Sequence, residues 1–112
     1  MGMPAALNQV DLLTLVALAR LGDTAYGVTI REEIQKCTAR AVSMAAVYAA
    51  LDRLHRQELV RPWLGEPRPE RGGRARRHYA LTRSGQAVVR TERSIAMRMW
   101  RGVWPSATRH ER

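Results

Sequence analysis

A chain of 112 residues, 46% of them hydrophobic, is long enough for one domain with a modest core and too apolar to be wholly disordered. A single cysteine, Cys37, excludes an internal disulfide. No apolar run reaches the length of a bilayer span, and the N-terminus lacks a basic region ahead of an apolar stretch, so a soluble protein of a reducing cytosol is expected. The net charge of +9, from 19 basic and 10 acidic residues, favours a polyanionic partner. A GC-rich genome would inflate Arg and Ala together, so the distribution of charge weighs more than its total. Between Arg61 and Arg83 seven arginines face only Glu66 and Glu70.

Residues 7–21 are apolar nearly all round, through Leu7, Val10, Leu12, Leu13, Leu15, Val16, Leu18 and Leu21. A helix of that kind must be covered on several sides. One small domain covers about one face, so a second copy of the chain is the candidate cover for the rest, with Leu12 and Val16 at the contact. Gly22-Asp23-Thr24 is read as the stop and the next N-cap. A second helix is predicted over about 25–36, with Val28, Ile30 and Ile34 pointing inward, and a short turn over 38–42.

Ser43 is the expected N-cap of a third helix that runs to about residue 58. Val47, Leu51 and Leu54 keep i, i+4, i+7 spacing and face the core, leaving Met44, Ala45, Tyr48, Ala49, Asp52 and Arg56 largely on the other side. Residues 59–64 and 75–81 alternate as two antiparallel strands, with Tyr79 and Leu81 on one face. The connection from Gly65 to Arg74 is too polar to pack and too rich in Pro and Gly to be helical. Thr82 caps a last helix over about 83–104, which Pro105 ends. Val88, Ile95, Ala96, Met99, Trp100 and Val103 share one side of it, interrupted by Glu92, and Arg90, Ser94, Arg98 and Arg101 the other.

The expected fold is therefore mostly α with a small antiparallel β-hairpin: a winged helix-turn-helix DNA-binding domain over 1–82, a dimerisation helix over 83–104, and a flexible tail over 105–112. The third helix fits a major groove and the hairpin tip reaches the adjacent backbone or minor groove. Ala45, Ala46 and Ala49, with Met44 beside them, let the helix backbone come close to base edges; Ser43 and Tyr48 are placed to donate to phosphates, and Arg53 or Arg56 to grip the flank. Alanines also simply make good helices, so the helix alone does not separate the alternatives; joined to a basic hairpin, it favours DNA. In that hairpin Arg74, Arg76 and Arg77 are the expected contacts, with Arg68 and Arg71 mattering less, because arginine is favoured in a narrow groove. Ile95, Met99, Trp100 and Val103 are the expected dimer core, and Trp100 is the candidate wall of a cavity for a flat apolar effector. Trp63 is expected to cover the hairpin. His55, His78 and His110 are scattered, Cys37 has no nearby histidine, and no phosphate-binding glycine motif precedes a helix, so no catalytic residue, metal or cofactor is expected.

These pieces resemble the PadR family of bacterial transcriptional regulators. The resemblance rests on Tyr26-Gly27, the run Ser43-Met-Ala-Ala-Val-Tyr-Ala-Ala-Leu-Asp-Arg-Leu54, Glu58-Leu-Val60, and Gly73-Arg-Ala-Arg-Arg-His-Tyr-Ala-Leu-Thr-Arg-Ser-Gly85, and it covers about residues 7–104. Ala45 stands where the family has glycine, Ala49 where it has proline, and no glycine separates Glu58 from Leu59. The resemblance implies a homodimer, in which the last helix packs on the partner's first and last helices. It also implies repression of nearby genes, often including the regulator's own, relieved by a small molecule, which for some relatives is a phenolic or other aromatic compound. With two reading helices one DNA turn apart, about 34 Å, the operator would be palindromic. Two other classes compete: a winged-helix interaction module docking an acidic protein, and a non-specific RNA- or single-strand-binding protein, which the shortage of aromatic side chains near the loop disfavours.

Overall fold

The computed structural model describes residues 7–67 and 75–103. Helix α1 spans Gln9–Leu21; Asn8 caps it by accepting a hydrogen bond from the Asp11 amide at 2.8 Å, so it starts later than its apolar run. Gly22, at φ 58°, closes it, and a 3-10 turn over Gly22–Thr24 follows. Helix α2 therefore begins at Gly27 rather than Ala25 and runs to Thr38, with Tyr26, not Thr24, at its cap. Ile30 and Ile34 are buried as expected, but Val28 is 44% exposed. The reason is geometric: positions two apart on a helix lie about 200° apart, so Val28 and Ile30 cannot share a face.

Helix α3 spans Met44–Arg56, with Ser43 Oγ accepting from the Ala46 amide at 3.0 Å. Val47, Ala50, Leu51 and Leu54 are buried and, with Leu15, Ile30 and Val60, form the centre of the core. Helix α1 is not apolar throughout its packed side: Asp11 and Thr14 are both buried. Leu12, Leu13 and Val16 are only half-buried.

The end of α3 has a Schellman geometry, in which the Glu58 amide donates to His55 O and the Leu59 amide to Leu54 O, both at 2.9 Å. The turn puts Glu58 at φ 62°, in the left-handed region that favours glycine. Glu58→Gly should thus stabilise the fold by about 1 kcal/mol, raising the melting temperature by roughly 5 °C in a thermal unfolding experiment. A lower melting temperature would contradict the strain assigned to this turn.

Strands β1 (Val60–Pro67) and β2 (Ala75–Leu81) pair antiparallel, with Val60 opposite Leu81, Trp63 opposite His78 and Leu64 opposite Arg77, and a register irregularity between Leu64 and Pro67. The first strand thus begins one residue later and runs three residues further than the alternation indicated, through Gly65-Glu66-Pro67. The segment before α2 joins the hairpin: Tyr26 bridges His78, and the Tyr79 amide donates to Ala25 O at 2.9 Å.

Helix α4 spans Arg83–Trp100. Thr82 Oγ1 accepts from the Gly85 amide at 3.0 Å and donates to Glu58 O at 2.7 Å, tying the start of α4 to the end of α3. Gly85 is buried because α4 crosses there against the carbonyl of Leu59, where a Cβ would collide with backbone. Val88 and Val89 pack on the core, whereas every residue from Arg93 to Val103 is exposed. The helix gives way at Arg101 and Gly102, with Gly102 at φ 81°, ahead of the proline expected to end it. Trp104 and Pro105 lie outside the described residues.

Candidate nucleic-acid interface

The front of α3 presents Ala45, Tyr48 and Ala49 to solvent, with Met44 and Ala46 half-buried and Ser43 exposed at the cap. The phenol end of Tyr48 lies on the backbone of Gly27, where any Cβ would meet the ring and hydroxyl and stand 3.1 Å from Met44 Cε. The first turn of the exposed helix thereby rests on the first turn of α2. Further along, Arg56 pairs with Asp52 one turn back.

Arg53 is not placed as a free flanking cation. Its Nη2 and Nε lie 2.7 Å and 3.1 Å from Asp11 Oδ1, and that hydrogen-bonded pairing raises the guanidinium above its ordinary pKa. Asp11 itself is 3% exposed. The pair fastens α3 to α1, so Arg53 positions the helix rather than reaching outward. Sequence reasoning missed Asp11; the available signal was a carboxylate inside an otherwise apolar run, a placement that costs dearly unless a cation meets it.

On the hairpin, Trp63 stacks on His78 with centroids 4.4 Å apart, and His78 meets the Tyr26 ring edge-on at 5.4 Å. Trp63 therefore does cover the hairpin. The Arg76 guanidinium lies over the Tyr26 ring at 4.1 Å and is half-buried, while Arg77 is exposed, 5.9 Å from the ring of Tyr79. Tyr79 is buried beneath, and that burial pushes its phenol upward in pKa, keeping it neutral. Arg76 and Arg77 project from opposite faces of β2, as neighbours on a strand must. Arg74, Arg68, Arg71 and the glycines between them lie outside the described residues.

The outer half of α4 exposes Ile95, Met97, Met99 and Trp100; Val103 is exposed too, but it lies in the turn beyond the helix and not on the helical face expected to carry it. Elsewhere Cys37 is exposed on α2, its Sγ 3.6 Å from Glu33 Oε2. Arg20 binds the same carboxylate at 2.6 Å, which holds Glu33 below the usual carboxylate range. Among the described residues no group of three His, Cys, Asp or Glu side chains could hold a metal, and no helix is long and apolar enough to cross a membrane.

A cap-initiated helix with an alanine-faced front, set beside a hairpin whose second strand carries arginines, is the arrangement of a winged helix-turn-helix. Residues 15–91 match the family model described as the transcriptional regulator PadR-like family. The chain belongs to the PadR-like family. It is a DNA-binding transcriptional regulator by that membership, and the helical body with its two-stranded hairpin is that family's winged-helix fold. A PadR family transcription regulator from Clostridium difficile R20291 is similar at 23% identity and TM-score 0.65, over 86% of this chain and 91% of that one. RosR of H. salinarum is similar at 23% identity and TM-score 0.68, over 86% and 79%. A PadR-like transcriptional regulator from Bacillus cereus is similar at 20% identity and TM-score 0.64, over 79% and 82%. Comparison with curated proteins gives no match.

Proposed function

We propose that this PadR-like regulator is a homodimeric repressor that reads a palindromic operator with paired α3 helices and wings, and that a small aromatic effector releases it. The observation that carries the DNA-reading part is the exposed Ala45–Tyr48–Ala49 front of α3, held by two anchors, Gly27 under Tyr48 and Asp11 under Arg53. Small side chains allow close approach to base edges and contact with thymine methyls, while the hydroxyls of Ser43 and Tyr48 and the guanidinium groups of Arg74, Arg76 and Arg77 serve phosphates. Sequencing duplex fragments selected from random DNA by the purified protein tests it. Enrichment of an inverted repeat with half-sites one helical turn apart is expected, and no enrichment over input would contradict it. An acidic protein partner is the weaker alternative, since it gives no reason for alanines on the exposed helix front.

Dimerisation is supported by apolar exposure along α4 and the turn that follows it. Ile95, Met97, Met99, Trp100 and Val103 are all 39% exposed or more, an arrangement a monomer has no reason to keep. Half-buried Leu12 and Val16 on α1 are the proposed contacts on the body. Paired helices would bring two copies of Trp100 near one another, and a flat aromatic compound between them would quench indole emission. Titration with a panel of planar aromatics should quench a binding signal that Trp100→Ala removes; a ligand-induced release from DNA that survives Trp100→Ala would place the effector elsewhere.

A further inference from the structure

Tyr26 stands where the two proposed DNA-contacting elements meet. Its backbone bridges His78 on β2, its ring receives the His78 imidazole edge-on at 5.4 Å, and the same ring carries the Arg76 guanidinium at 4.1 Å. On its other side His78 is closed by Trp63, stacked at 4.4 Å. Gly65 completes the slot: a Cβ there would stand 2.8 Å from His78 Nε2, so only the bare backbone of β1 lets the imidazole lie flat. His78 Nδ1 is buried and makes no hydrogen bond among the described residues, so stacking, not a polar partner, holds the ring. One residue beyond Tyr26, Gly27 receives the phenol of Tyr48 from α3. A continuous line of contacts thus runs Trp63, His78, Tyr26, Gly27, Tyr48, from the wing to the reading helix.

We propose that His78 and Tyr26 are positioning residues for DNA binding: their stack clamps the wing strands to the start of α2 and fixes the angle between the wing arginines and α3. The chemistry fits that task. A two-stranded hairpin is marginal by itself and twists freely, so an arginine on it has a defined direction only if the strands are fastened to the body. Ring stacking and a cation over a ring supply that fastening without spending the guanidinium N–H groups, which lie in its plane and remain available to phosphate. Arg76 is then both held and presented.

The inference rests on the DNA-binding reading for its consequence but not for its geometry, and two measurements separate them. Without DNA, backbone 15N heteronuclear NOE values at Trp63, Arg76 and Arg77 should fall in His78→Ala and return in His78→Phe, which restores a stacking ring. With a selected duplex, His78→Ala should bind about tenfold more weakly at moderate salt and lose about one unit of salt slope, although His78 is given no phosphate of its own. His78→Phe should recover both. Trp63→Ala, which removes only the outer wall of the slot, should move the same readouts in the same direction and serves if His78→Ala does not fold. Wild-type NOE values in a folded His78→Ala or Trp63→Ala protein, or failure of His78→Phe to rescue, overturn the clamp. Unchanged affinity and slope in a variant whose wing has loosened overturn its role in DNA binding. A wild-type protein with no affinity for duplex DNA would sink the functional reading and leave the NOE arm to judge the clamp.

Discussion

Replacing Arg74, Arg76 and Arg77 together by alanine should weaken binding to any duplex by about 100-fold at ~0.1 M salt. Each phosphate neutralised by a guanidinium releases condensed counterions, so three lost contacts lower the slope of log K against log salt by about 2 to 3 units. The loss should be nearly equal for operator and unrelated DNA, because phosphate contacts position the protein without reading sequence. Substitutions at Ala49 or Tyr48, on the exposed front of α3, should instead change which sequence is preferred. Fluorescence anisotropy titrations over a range of salt check both. A triple variant that keeps the parental slope would remove the wing from the interface. The fold should survive, since Arg77 is exposed and Arg76 is only half-buried.

Asp11→Ala should destabilise the protein by about 2 kcal/mol, seen as a melting temperature about 10 °C lower. Asp11 is 3% exposed and accepts from both Nε and Nη2 of Arg53. Removing it leaves a guanidinium beside a void at the junction of α1 and α3. The loss is smaller than for a fully buried pair because the Arg53 side chain is 40% exposed and can turn toward water. The effect should reach function too, since α3 loses its tie to α1 and with it a defined approach to DNA. Differential scanning calorimetry checks the first part; an unchanged melting temperature would mean that the pair contributes nothing to stability.

The helices were legible where one periodicity dominates: Val47, Leu51 and Leu54 announce the buried face of α3, and Ser43 and Thr82 announce their helices as caps. Family membership followed from motifs spread along the chain, each weak but jointly specific. What escaped were relations between distant residues. Arg53 reads as a surface cation until Asp11, 42 residues earlier, is brought beneath it by the packing of α1 on α3. Arg76 reads as a free phosphate ligand until the Tyr26–His78 bridge puts an aromatic ring under it. Local reasoning also misjudged phase. Val28 was grouped with Ile30 in the core although positions two apart on a helix lie about 200° apart, so burying Ile30 and Ile34 leaves Val28 outside. Glu58 carries no local signal of the left-handed backbone, φ 62°, that the turn closing α3 imposes on it.

In the proposed complex, paired α3 helices and wings grip one duplex. Hydroxyl-radical footprinting of the protein on a selected duplex, with stoichiometry from analytical ultracentrifugation of the same complex, tests it most directly. Two protomers per duplex are expected, protecting two symmetric backbone stretches about one helical turn apart, with flanking protections that vanish in the Arg74, Arg76, Arg77 alanine variant. A single protomer with one protected stretch, or a complex whose footprint is the same with and without those arginines, would contradict it.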